Sequence, residues 1–356
     1  MMKESILVIN PGSTSTKITI FDGDTEVWKT IIRHNRDELQ EFSRIIDQLD
    51  YRFGRISDSI PEELSNNWIA VVGRGGLMQP CEGGTYYINN IMLRDVAESN
   101  WGEHASNLGC MLADRFAAMA GVQAFIVDPV TTDEFEDVSR ISGVPGIERK
   151  SRAHALNIKA TARKAAGELE ISFELSRFVV AHMGGGISIA ALKDGRISDV
   201  NDAILGMGPF SPERAGALPL AGVIDLVESE GKQRAIEIFS HESGFAGYFN
   251  TSSLEDIETM IAEGDKQAEL IWEAMIYQVA KEIGAMAASL NGIIDGIILT
   301  GGLVNSKKFM KRLVEKVSFL GQIFVYPGEE EMKALAEGAL RVFRGEESAK
   351  HYGESK

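Results

Sequence analysis

The chain has 356 residues, of which 44% are apolar and 25% are charged, a globular composition that excludes collagen-like repeats and extended disorder. The length predicts two domains, because single hydrophobic cores rarely grow beyond about 250–300 residues. The formal net charge of −16 argues against nucleic acid as a main partner, and the presence of only two cysteines excludes a disulfide framework.

The start of the chain and its hydropathy argue against export and membrane insertion. Only four apolar residues, 6–9, follow the polar N-terminus, whereas a signal peptide needs an apolar stretch of about 7–15 residues. No run of about 18 or more apolar residues occurs, so no membrane span is predicted. We therefore expect a cytoplasmic protein with no membrane partner.

The first part of the chain predicts an antiparallel meander followed by alternating helices and strands. Apolar and β-branched runs bounded by turn residues indicate the strands, and apolar residues at helical spacing indicate the helices. The predicted strands are 6–10, 16–21, 26–32, 68–72 and 124–127, and the predicted helices are 36–50, most of 92–120, and 152–168.

The opening pattern recurs 172 residues further on. Gly12 corresponds to Gly184, and the turn at Asp22-Gly23 corresponds to the turn at Asp194-Gly195. Each copy reads as an apolar strand, a glycine loop, a β-branched strand and an Asp-Gly hairpin turn. A repeat of this size indicates two related domains, although two unrelated hairpins would give a similar pattern.

The second copy is followed by a mainly helical part. Residues 205–219 are too rich in glycine and proline for a helix. The predicted strands are 178–183, 187–192, 296–300 and 322–326, and the predicted helices are 220–231, 232–242, 254–263, 265–291, 306–317 and 329–345. We place a domain boundary near residue 150, with the C-terminal helix crossing back to the first domain.

Glycine or small polar residues follow four of the apolar strands, at 10–17, 73–76, 182–188 and 300–306. Backbone N–H groups in such loops bind phosphates well, so four of them favour a nucleotide site. Neither a Walker loop nor a dinucleotide-binding Gly-x-Gly-x-x-Gly motif occurs. The 10–17 loop adds an amide, two hydroxyls and a cation that suit a phosphoryl group, unless they are simply solvated: Asn10, Ser13, Ser15 and Lys17.

Isolated charged residues lie beside the other loops. Arg74 stands between glycines and Arg214 stands in a proline-rich segment, so either could clamp a phosphate or carboxylate, although a single arginine is usually a surface ion pair. Asp128 ends a strand and could support magnesium or act as a base, or simply belong to a turn. His154 and His182 could be catalytic or structural.

Taken together, these motifs resemble the acetokinase family of acetate and butyrate kinases along nearly the whole chain. The segments that carry the resemblance are 10–17 (Asn-Pro-Gly-Ser-Thr-Ser-Thr-Lys), 73–76 (Gly-Arg-Gly-Gly), 128–130 (Asp-Pro-Val), 182–186 (His-Met-Gly-Gly-Gly), 208–216 and 300–302 (Thr-Gly-Gly). The string Gly-Pro-Phe-Ser-Pro-Glu-Arg at 208–214 is similar to butyrate kinases in particular.

The resemblance implies an α/β fold of the duplicated actin, sugar-kinase and heat-shock-ATPase type, which is ribonuclease H-like, with the active site in a cleft between two domains. It implies that residues 1–150 with 329–356 bind the acid and phosphate, and that 151–328 bind nucleotide and form a homodimer or higher homo-oligomer. The implied reaction is ATP + butanoate ⇌ ADP + butanoyl phosphate, with Mg²⁺ and ATP as cofactor and co-substrate.

The resemblance also implies roles for single residues. Arg74 would hold the substrate carboxylate, Arg214 the transferring phosphoryl group, and His154 would donate a hydrogen bond to it. Asn10, Ser13, Ser15 and Lys17 would line the phosphate path. Nucleotide would be bound by His182, Gly184, Gly185, Gly186, Gly301, Gly302 and Asn305. Magnesium would be supported by Asp128 and by a glutamate of the 329–331 run, either Glu331 or Glu330, although the helix dipole alone would also explain acidic residues there.

The sequence departs from acetate kinases at two positions near the implied acyl pocket. Ala153 and Gly76 stand where acetate kinases have phenylalanine and valine. Each extra methylene accommodated is worth about 1–3 kcal/mol of discrimination, so smaller residues predict an acid of about four carbons, linear or branched. Isobutyrate, acetate and propionate remain alternatives.

Charge arguments separate the rival functions. A carboxylate acceptor is already anionic at pH 7, so its kinase needs cations rather than a general base. A sugar or alcohol kinase of this fold would use Asp128 as a base. A nucleotide-driven binding protein of the heat-shock type would need a peptide-binding domain for which no residues remain after about 345.

Overall fold

The computed structural model describes residues 4–65 and 67–353, which divide into two units. The strands form two sheets, one in each unit. The strands are β1 (Ser5–Pro11), β2 (Ser15–Asp22), β3 (Thr25–Arg33), β4 (Trp68–Arg74), β5 (Thr85–Tyr87), β6 (Gln123–Val127), β7 (Arg177–Met183), β8 (Ile187–Lys193), β9 (Arg196–Val200), β10 (Gly296–Gly301), β11 (Ile323–Pro327) and β12 (Lys350–His351).

Most helices of the described residues lie in the second unit. They are α1 (Arg36–Gln40), α2 (Leu49–Ser59), α3 (Asn90–Ala97), α4 (Asn107–Ala120), α5 (Asp137–Arg140), α6 (Ala155–Glu168), α7 (Leu220–Glu230), α8 (Lys232–His241), α9 (Gly244–Phe249), α10 (Leu254–Ala262), α11 (Lys266–Ser289), α12 (Lys307–Val317) and α13 (Glu331–Phe343). None of the helices within 4–65 and 67–353 is both long and apolar enough to cross a membrane.

The two sheets share a five-strand pattern. The first unit has the order β12-β5-β6-β4-β1-β2-β3, and the second has β11-β10-β7-β8-β9. In each unit the first strand of an antiparallel three-stranded meander is paired with a parallel strand, β4 or β10, and a second parallel strand, β6 or β11, lies beside that one. The prediction of a duplicated fold is therefore confirmed.

The two hairpin turns are not aligned as predicted. Asp22 pairs with Thr25, so the first turn is Gly23-Asp24, whereas Lys193 pairs with Arg196, so the second turn is Asp194-Gly195. Gly23 and Gly195 have φ values of +57° and +72°, a region in which glycine carries no steric penalty. Each turn is preceded by a bulge at an equivalent place, between Ile20 and Phe21 in the first meander and between Ala191 and Leu192 in the second.

Side-chain alternation along β7 builds a core on both faces of the second sheet. Val179 and Ala181 face the cluster formed with α11 and α12, while Phe178 and Val180 face the cluster formed with α6. The first sheet packs one face on α2 and α4 and is also contacted by α13. The resulting layers place the carboxyl ends of the parallel strands at one edge of each sheet.

The boundaries of the units differ from the predicted ones. The first unit comprises residues up to Thr132 and from Glu330 onward, and the second runs from Asp133 to Glu329. Residues 133–150 thus belong to the second unit, because Phe135 lies in its core and Arg149 donates a hydrogen bond to Asp199 at 2.7 Å.

Candidate functional site

Three parallel strands of the first unit, β1, β4 and β6, end at the same edge of the sheet. Asn10 and Arg74 lie near the ends of β1 and β4, and Asp128 follows β6 directly. The edge of an open α/β sheet where such ends meet is the usual place for a ligand. The structure therefore brings these three predicted residues to one edge.

Arg74 has a guanidinium that is held on one side only. Its side chain is 8% exposed, and Nη2 lies 3.3 Å from Oε1 of Glu331. The other oxygen of that carboxylate, Oε2, accepts a hydrogen bond of 2.8 Å from Nδ2 of Asn10. Nη1 of Arg74 is buried and has no hydrogen-bond partner among residues 4–65 and 67–353. A buried donor without a partner is costly, so Arg74 is prepared to bind an anion.

The loop between β1 and β2 presents the predicted phosphate-binding side chains. Ser13 is exposed and Ser15 is half-buried, while N–H of Gly12 closes the loop by donating to the carbonyl of Ser15 at 2.7 Å. Lys17 is exposed and pairs in register with Asn10 on the neighbouring strand. Two hydroxyls, an amide and an ammonium group are thus available within one hairpin.

Asp128 is completely buried rather than open to solvent. Its Oδ1 accepts a hydrogen bond of 2.7 Å from N–H of Gly84, and its own N–H donates to the carbonyl of Gly84 at 3.0 Å. The residue has φ of +39°, which is unusual for a residue with a side chain. The tie to Gly84 holds this carboxylate at the end of β6.

A histidine pair lies at the carboxyl end of β7 in the second unit. The rings of His154 and His182 stack with centroids 4.1 Å apart. Nδ1 of His154 lies 2.9 Å from Oγ of Ser188, and Nδ1 of His182 lies 3.0 Å from Oδ1 of Asn157. Thr300, at the end of β10, has its hydroxyl 3.3 Å from the same amide oxygen. The two predicted histidines therefore have fixed orientations.

Arg214 lies against the glycine loop that follows β7. A β-carbon on Gly186 would overlap Nη1 of Arg214, so a side chain there would displace the guanidinium. The hydroxyl of Ser211 donates to the carbonyl of Gly185, and Nη1 of Arg214 donates to the carbonyl of Ala203 at 2.6 Å. Burial lowers the pKa of Arg214 below its usual value. The proline-rich segment thus holds this guanidinium beside the predicted phosphate loop.

The residues predicted to border the nucleotide follow β10. Gly301 has φ of +97°, and a β-carbon there would overlap the backbone of Met183, so β10 approaches β7 closely. Gly302 has open space beside it and is exposed, and Nδ2 of Asn305 donates to its carbonyl at 3.0 Å. Gly184, at the start of the glycine loop, has Glu329 as its nearest side-chain neighbour.

The three consecutive glutamates lie in different surroundings. Oε1 of Glu329 lies 3.2 Å from Nε2 of His182 in the second unit. Glu330 is exposed and precedes α13, whereas Glu331 begins α13 and contacts Arg74 and Asn10. Of the two glutamates predicted as alternatives for magnesium, Glu331 is therefore the one that contacts other predicted site residues.

The pocket-widening argument fails at Gly76. A β-carbon on Gly76 would overlap the backbone and side chain of Asn107, so the absence of a side chain serves close packing on α4 and opens no pocket. Ala153 is 7% exposed and belongs to the core cluster that contains Phe135 and Ile158. The small side chain of Ala153 is therefore part of the packing of this core.

Several polar residues of these surroundings were missed. Asn157 and Ser188 orient the two histidines, and Arg52 binds the backbone of the loop between β1 and β2. Arg52 carried a usable signal, because it falls on the apolar stripe formed by Leu49, Phe53 and Ile56. The predicted helix, which ended at residue 50, hid that pattern.

The donor types in the first unit suit magnesium. Within residues 4–65 and 67–353, no three His, Cys, Asp or Glu side chains form a ligand cluster. Mg²⁺ in kinases is usually held by one or two carboxylates, water and substrate phosphates, so a complete protein cage is not required. Asp128 and Glu331 supply carboxylate oxygens, the ligand type that this ion prefers.

The comparisons with known proteins concern the family and the fold. The sequence profile described as the acetokinase family matches residues 145–341. The fold is similar to that of Porphyromonas gingivalis acetate kinase, with 19% identity, a TM-score of 0.77 and coverage of 96% of this chain and 100% of that one. The fold is also similar to that of a propionate kinase from Francisella tularensis subsp. tularensis SCHU S4. The identity is 18% and the TM-score 0.72, and the match covers 94% of this chain and 98% of that one.

A more distant similarity extends to the sugar-kinase type of fold. The match to a ROK family protein from Streptococcus pneumoniae TIGR4, in complex with sucrose, has 13% identity and a TM-score of 0.50. It covers 96% of this chain and 99% of that one. At these identities the solved structures show the fold, whereas the profile covers more than half of the chain. The chain therefore belongs to the acetokinase family of kinases, which use ATP to phosphorylate a carboxylate.

Proposed function

We propose that this chain transfers the γ-phosphoryl group of ATP to butanoate, giving ADP and butanoyl phosphate. The observation that carries the proposal is the buried, half-partnered guanidinium of Arg74 at the strand edge beside Asn10. A guanidinium binds a carboxylate by charge-assisted hydrogen bonds, and the buried Nη1 of Arg74 has no other partner among residues 4–65 and 67–353. Arg74 is therefore assigned to the carboxylate of the acid.

The charge of the acceptor determines the rest of the mechanism. The carboxylate is anionic at pH 7, so its oxygen attacks the γ-phosphorus without losing a proton. The new bond joins that oxygen to phosphorus, while the bond to the β,γ-bridging oxygen breaks and ADP leaves with its electrons. The main obstacle is repulsion between two anions, which positive groups relieve.

Residues of each unit are assigned to parts of this step. Lys17, Ser13 and Ser15 line the phosphate path in the first unit. Arg214 binds the transferring phosphoryl group, and His154, oriented by Ser188, donates a hydrogen bond to it. The loop 184–186 contacts the nucleotide phosphates, with His182, Gly301, Gly302 and Asn305 also in the nucleotide site. Mg²⁺ with the nucleotide supplies further positive charge, and Asp128 with Glu331 would hold it.

The preference for about four carbons rests on two sequence features. The string at 208–214 is similar to butyrate kinases, and Ala153 stands directly before His154. Gly76 no longer supports this preference, because Asn107 occupies the space beside it. Isobutyrate, propionate and acetate are accordingly the competing acids.

An acyl hydroxamate assay tests the proposal directly. The purified protein is incubated with ATP, Mg²⁺ and acetate, propionate, butyrate, isobutyrate or valerate, and kcat/KM is measured for each acid. We expect the highest value for butyrate. A maximum at acetate would keep the reaction and reject the chain length.

An alcohol kinase would give a different pattern in the same experiment. Absence of hydroxamate with every acid, from protein that binds ATP, would favour a hydroxyl acceptor and Asp128 as its base. Asp128→Asn would then abolish transfer. In a carboxylate kinase the same substitution acts through magnesium and the tie to Gly84, so added Mg²⁺ should restore part of the activity.

We also propose that the chain forms a homo-oligomer through its second unit. Helix α7 has no buried residue, and its apolar side chains Leu220 and Ile224 are 79% and 65% exposed. Leu218, just before the helix, is exposed as well. An apolar surface of this kind is typical of an interface between copies.

A further inference from the structure

Arg52 is a buried cation that is not paired with any carboxylate in the described part of the chain. It lies on α2 with 0% of its surface exposed, and it forms no salt bridge with any acidic residue in 4–65 or 67–353. A charged side chain is rarely buried so completely unless it is paired. The fold therefore retains this charge for another reason.

The guanidinium of Arg52 binds the loop between β1 and β2 from behind. Nη1 donates to the carbonyl of Gly12 at 2.8 Å and to that of Ser15 at 3.3 Å, and Nη2 donates to the carbonyl of Ser13 at 3.2 Å. Nε and Nη2 also donate to Oε1 of Gln48, at 3.1 and 2.8 Å. Gln48 thus orients the guanidinium of Arg52, and the guanidinium donates hydrogen bonds to the loop carbonyls.

His34 completes the same support. Its backbone N–H donates to the carbonyl of Thr14 at 2.9 Å, and its Nε2 lies 2.9 Å from Oγ1 of Thr16. That hydroxyl also accepts from Nη1 of Arg52 at 3.2 Å. The carbonyls of residues 12 to 15 are therefore all engaged by groups within the first unit.

Because peptide bonds are planar, the directions of the loop carbonyls also determine where the N–H groups of the loop point. In a trans peptide the C=O of one residue and the N–H of the next point in opposite directions. Because the carbonyls of Gly12, Ser13 and Thr14 point towards Arg52 and His34, the N–H groups of Ser13, Thr14 and Ser15 point away from them. Successive N–H groups turned to one side form an anion-binding concavity.

We propose that Arg52 is a positioning residue, which turns the carbonyls of the loop inward so that the N–H groups of residues 13–15 face and bind a phosphoryl group. This inference rests on the proposed function, in which the loop lines the phosphate path. Arg52 does not touch the substrate. Its charge also adds positive potential behind the loop, and no carboxylate within 4–65 or 67–353 pairs with it to cancel that potential.

The protonation state of Arg52 agrees with that role. Burial lowers the pKa of its guanidinium to about 10, so the side chain remains charged at neutral pH. The five donors of a guanidinium suit several acceptors at once, whereas a lysine has only three donors on a single atom.

Two substitutions separate the geometry from the charge. Arg52→Lys keeps the charge but loses the fork. Gln48→Glu keeps an acceptor for Nε and Nη2 and places a neutralising carboxylate beside Arg52. The matched control is Arg55→Met, which removes an exposed arginine one turn further along α2. The readouts are kcat and KM for ATP and butyrate, the affinity for inorganic phosphate by calorimetry, and Tm.

We expect Arg52→Lys to lower kcat by about 10- to 100-fold, the scale of a misplaced binding group. We expect Gln48→Glu to weaken phosphate binding by about three- to tenfold, without lowering Tm. Arg55→Met should stay within about twofold of the wild type in every readout, because no loop contact is removed. If Arg52→Lys does not fold, Gln48→Glu decides on its own.

Wild-type kcat and phosphate affinity in folded Arg52→Lys and Gln48→Glu would overturn the inference. A fall in Tm with unchanged kinetic constants would also overturn it, because that is the result of a purely structural role. If the wild-type protein makes no hydroxamate with any acid, the proposed function fails, and phosphate affinity alone decides the role of Arg52. If the wild type then also fails to bind phosphate, both proposals fail.

Discussion

The unpartnered donor of Arg74 leads to a prediction about substrate binding. Arg74→Gln removes the charge that faces the acid, and each charge-assisted hydrogen bond is worth about 1.5–3 kcal/mol. We expect kcat/KM for the acid to fall by about 10- to 150-fold, with a smaller change in KM for ATP. Steady-state kinetics measure this, and Arg94→Gln, on α3, is the control outside the strand edge. Unchanged kcat/KM would remove Arg74 from the site.

His34 leads to a prediction about stability and pH. Burial, with the charges of Arg52 and Arg55, lowers the pKa of His34 from 6.5 to about 4. Below pH 6.5 the unfolded chain therefore binds a proton that the folded chain does not bind until about pH 4, so stability falls as the pH falls through that range. The loss from this group is about 2 kcal/mol between pH 7 and pH 5.

The measurement is the urea midpoint of the wild type and of His34→Gln at both pH values. We expect the wild-type midpoint to fall more steeply than that of the variant. Equal pH dependence in the two proteins would show that His34 does not carry this effect.

At the scale of single residues, motif reasoning located the strand-end groups and missed what holds them. Asn10 and Arg74 lie near the ends of apolar strands and Asp128 directly follows one, so their meeting at one edge follows from the sheet. The apolar stripe of α2 indicates that Arg52 is buried, but no local pattern reports its contact with a loop about 40 residues away. Gly76 is assigned to the acyl pocket by comparison with acetate kinases, and its contact with Asn107 is not predictable because it depends on the tertiary packing of α4.

The crossing of β4 and α4 leads to a prediction about packing. A β-carbon on Gly109 would overlap the carbonyl of Arg74, and one on Gly73 would overlap the carbonyl of Gly109. Overpacking of this kind typically costs about 1–3 kcal/mol. We expect Gly109→Ala to lower Tm and also to lower kcat, because the backbone of Arg74 must move.

Gly54 provides the matched control for that substitution. It lies inside α2, and a β-carbon added there would meet no neighbouring heavy atom of the described residues within 4 Å. Gly54→Ala should therefore stabilise the protein by about 1 kcal/mol through helix propensity. Calorimetry of both variants gives the comparison. A higher Tm for Gly109→Ala than for the wild type would contradict the close packing.

At the scale of elements, long apolar runs were predictable and short or interrupted elements were not. The meander strands and the strands at 178–183 and 296–300 have counterparts in β1 to β3, β7 and β10. The helix predicted at 36–50 is instead α1, a short 3₁₀ turn at Ile45–Gln48, and then α2. Strands β5 and β12 have three and two residues, and pairing with a neighbour rather than propensity accounts for them.

For the whole molecule, the exposed apolar side chains of α7 predict association. We expect light scattering after size exclusion to give a multiple of 38.9 kDa, the mass of one chain. Ile224→Glu should shift the distribution towards the single chain, because a charge would enter an apolar interface. Lys232→Glu, at the start of α8, is an exposed control. A single-chain mass for the wild type at all concentrations would reject the interface.

The boundary between the two units was harder to predict than their number. Length and the repeat predicted two units, and the return of the C-terminal helix to the first of them was also expected. The position of the boundary was not, because residues 133–150 contain few apolar side chains and attach to the second unit by single contacts such as that of Arg149 with Asp199. Such contacts leave no periodic pattern in the sequence.

The division of the first unit into two separated segments has a consequence for biosynthesis. Residues 133–329 are contiguous, so a nascent chain can fold them as soon as they leave the ribosome. The first unit must wait for α13, which buries Leu335 and Leu340 and supplies Glu331 to Asn10 and Arg74. Until α13 has been translated, the apolar surface that it covers remains exposed, and Arg74 lacks the carboxylate of Glu331. The first unit is therefore expected to complete its folding after the second.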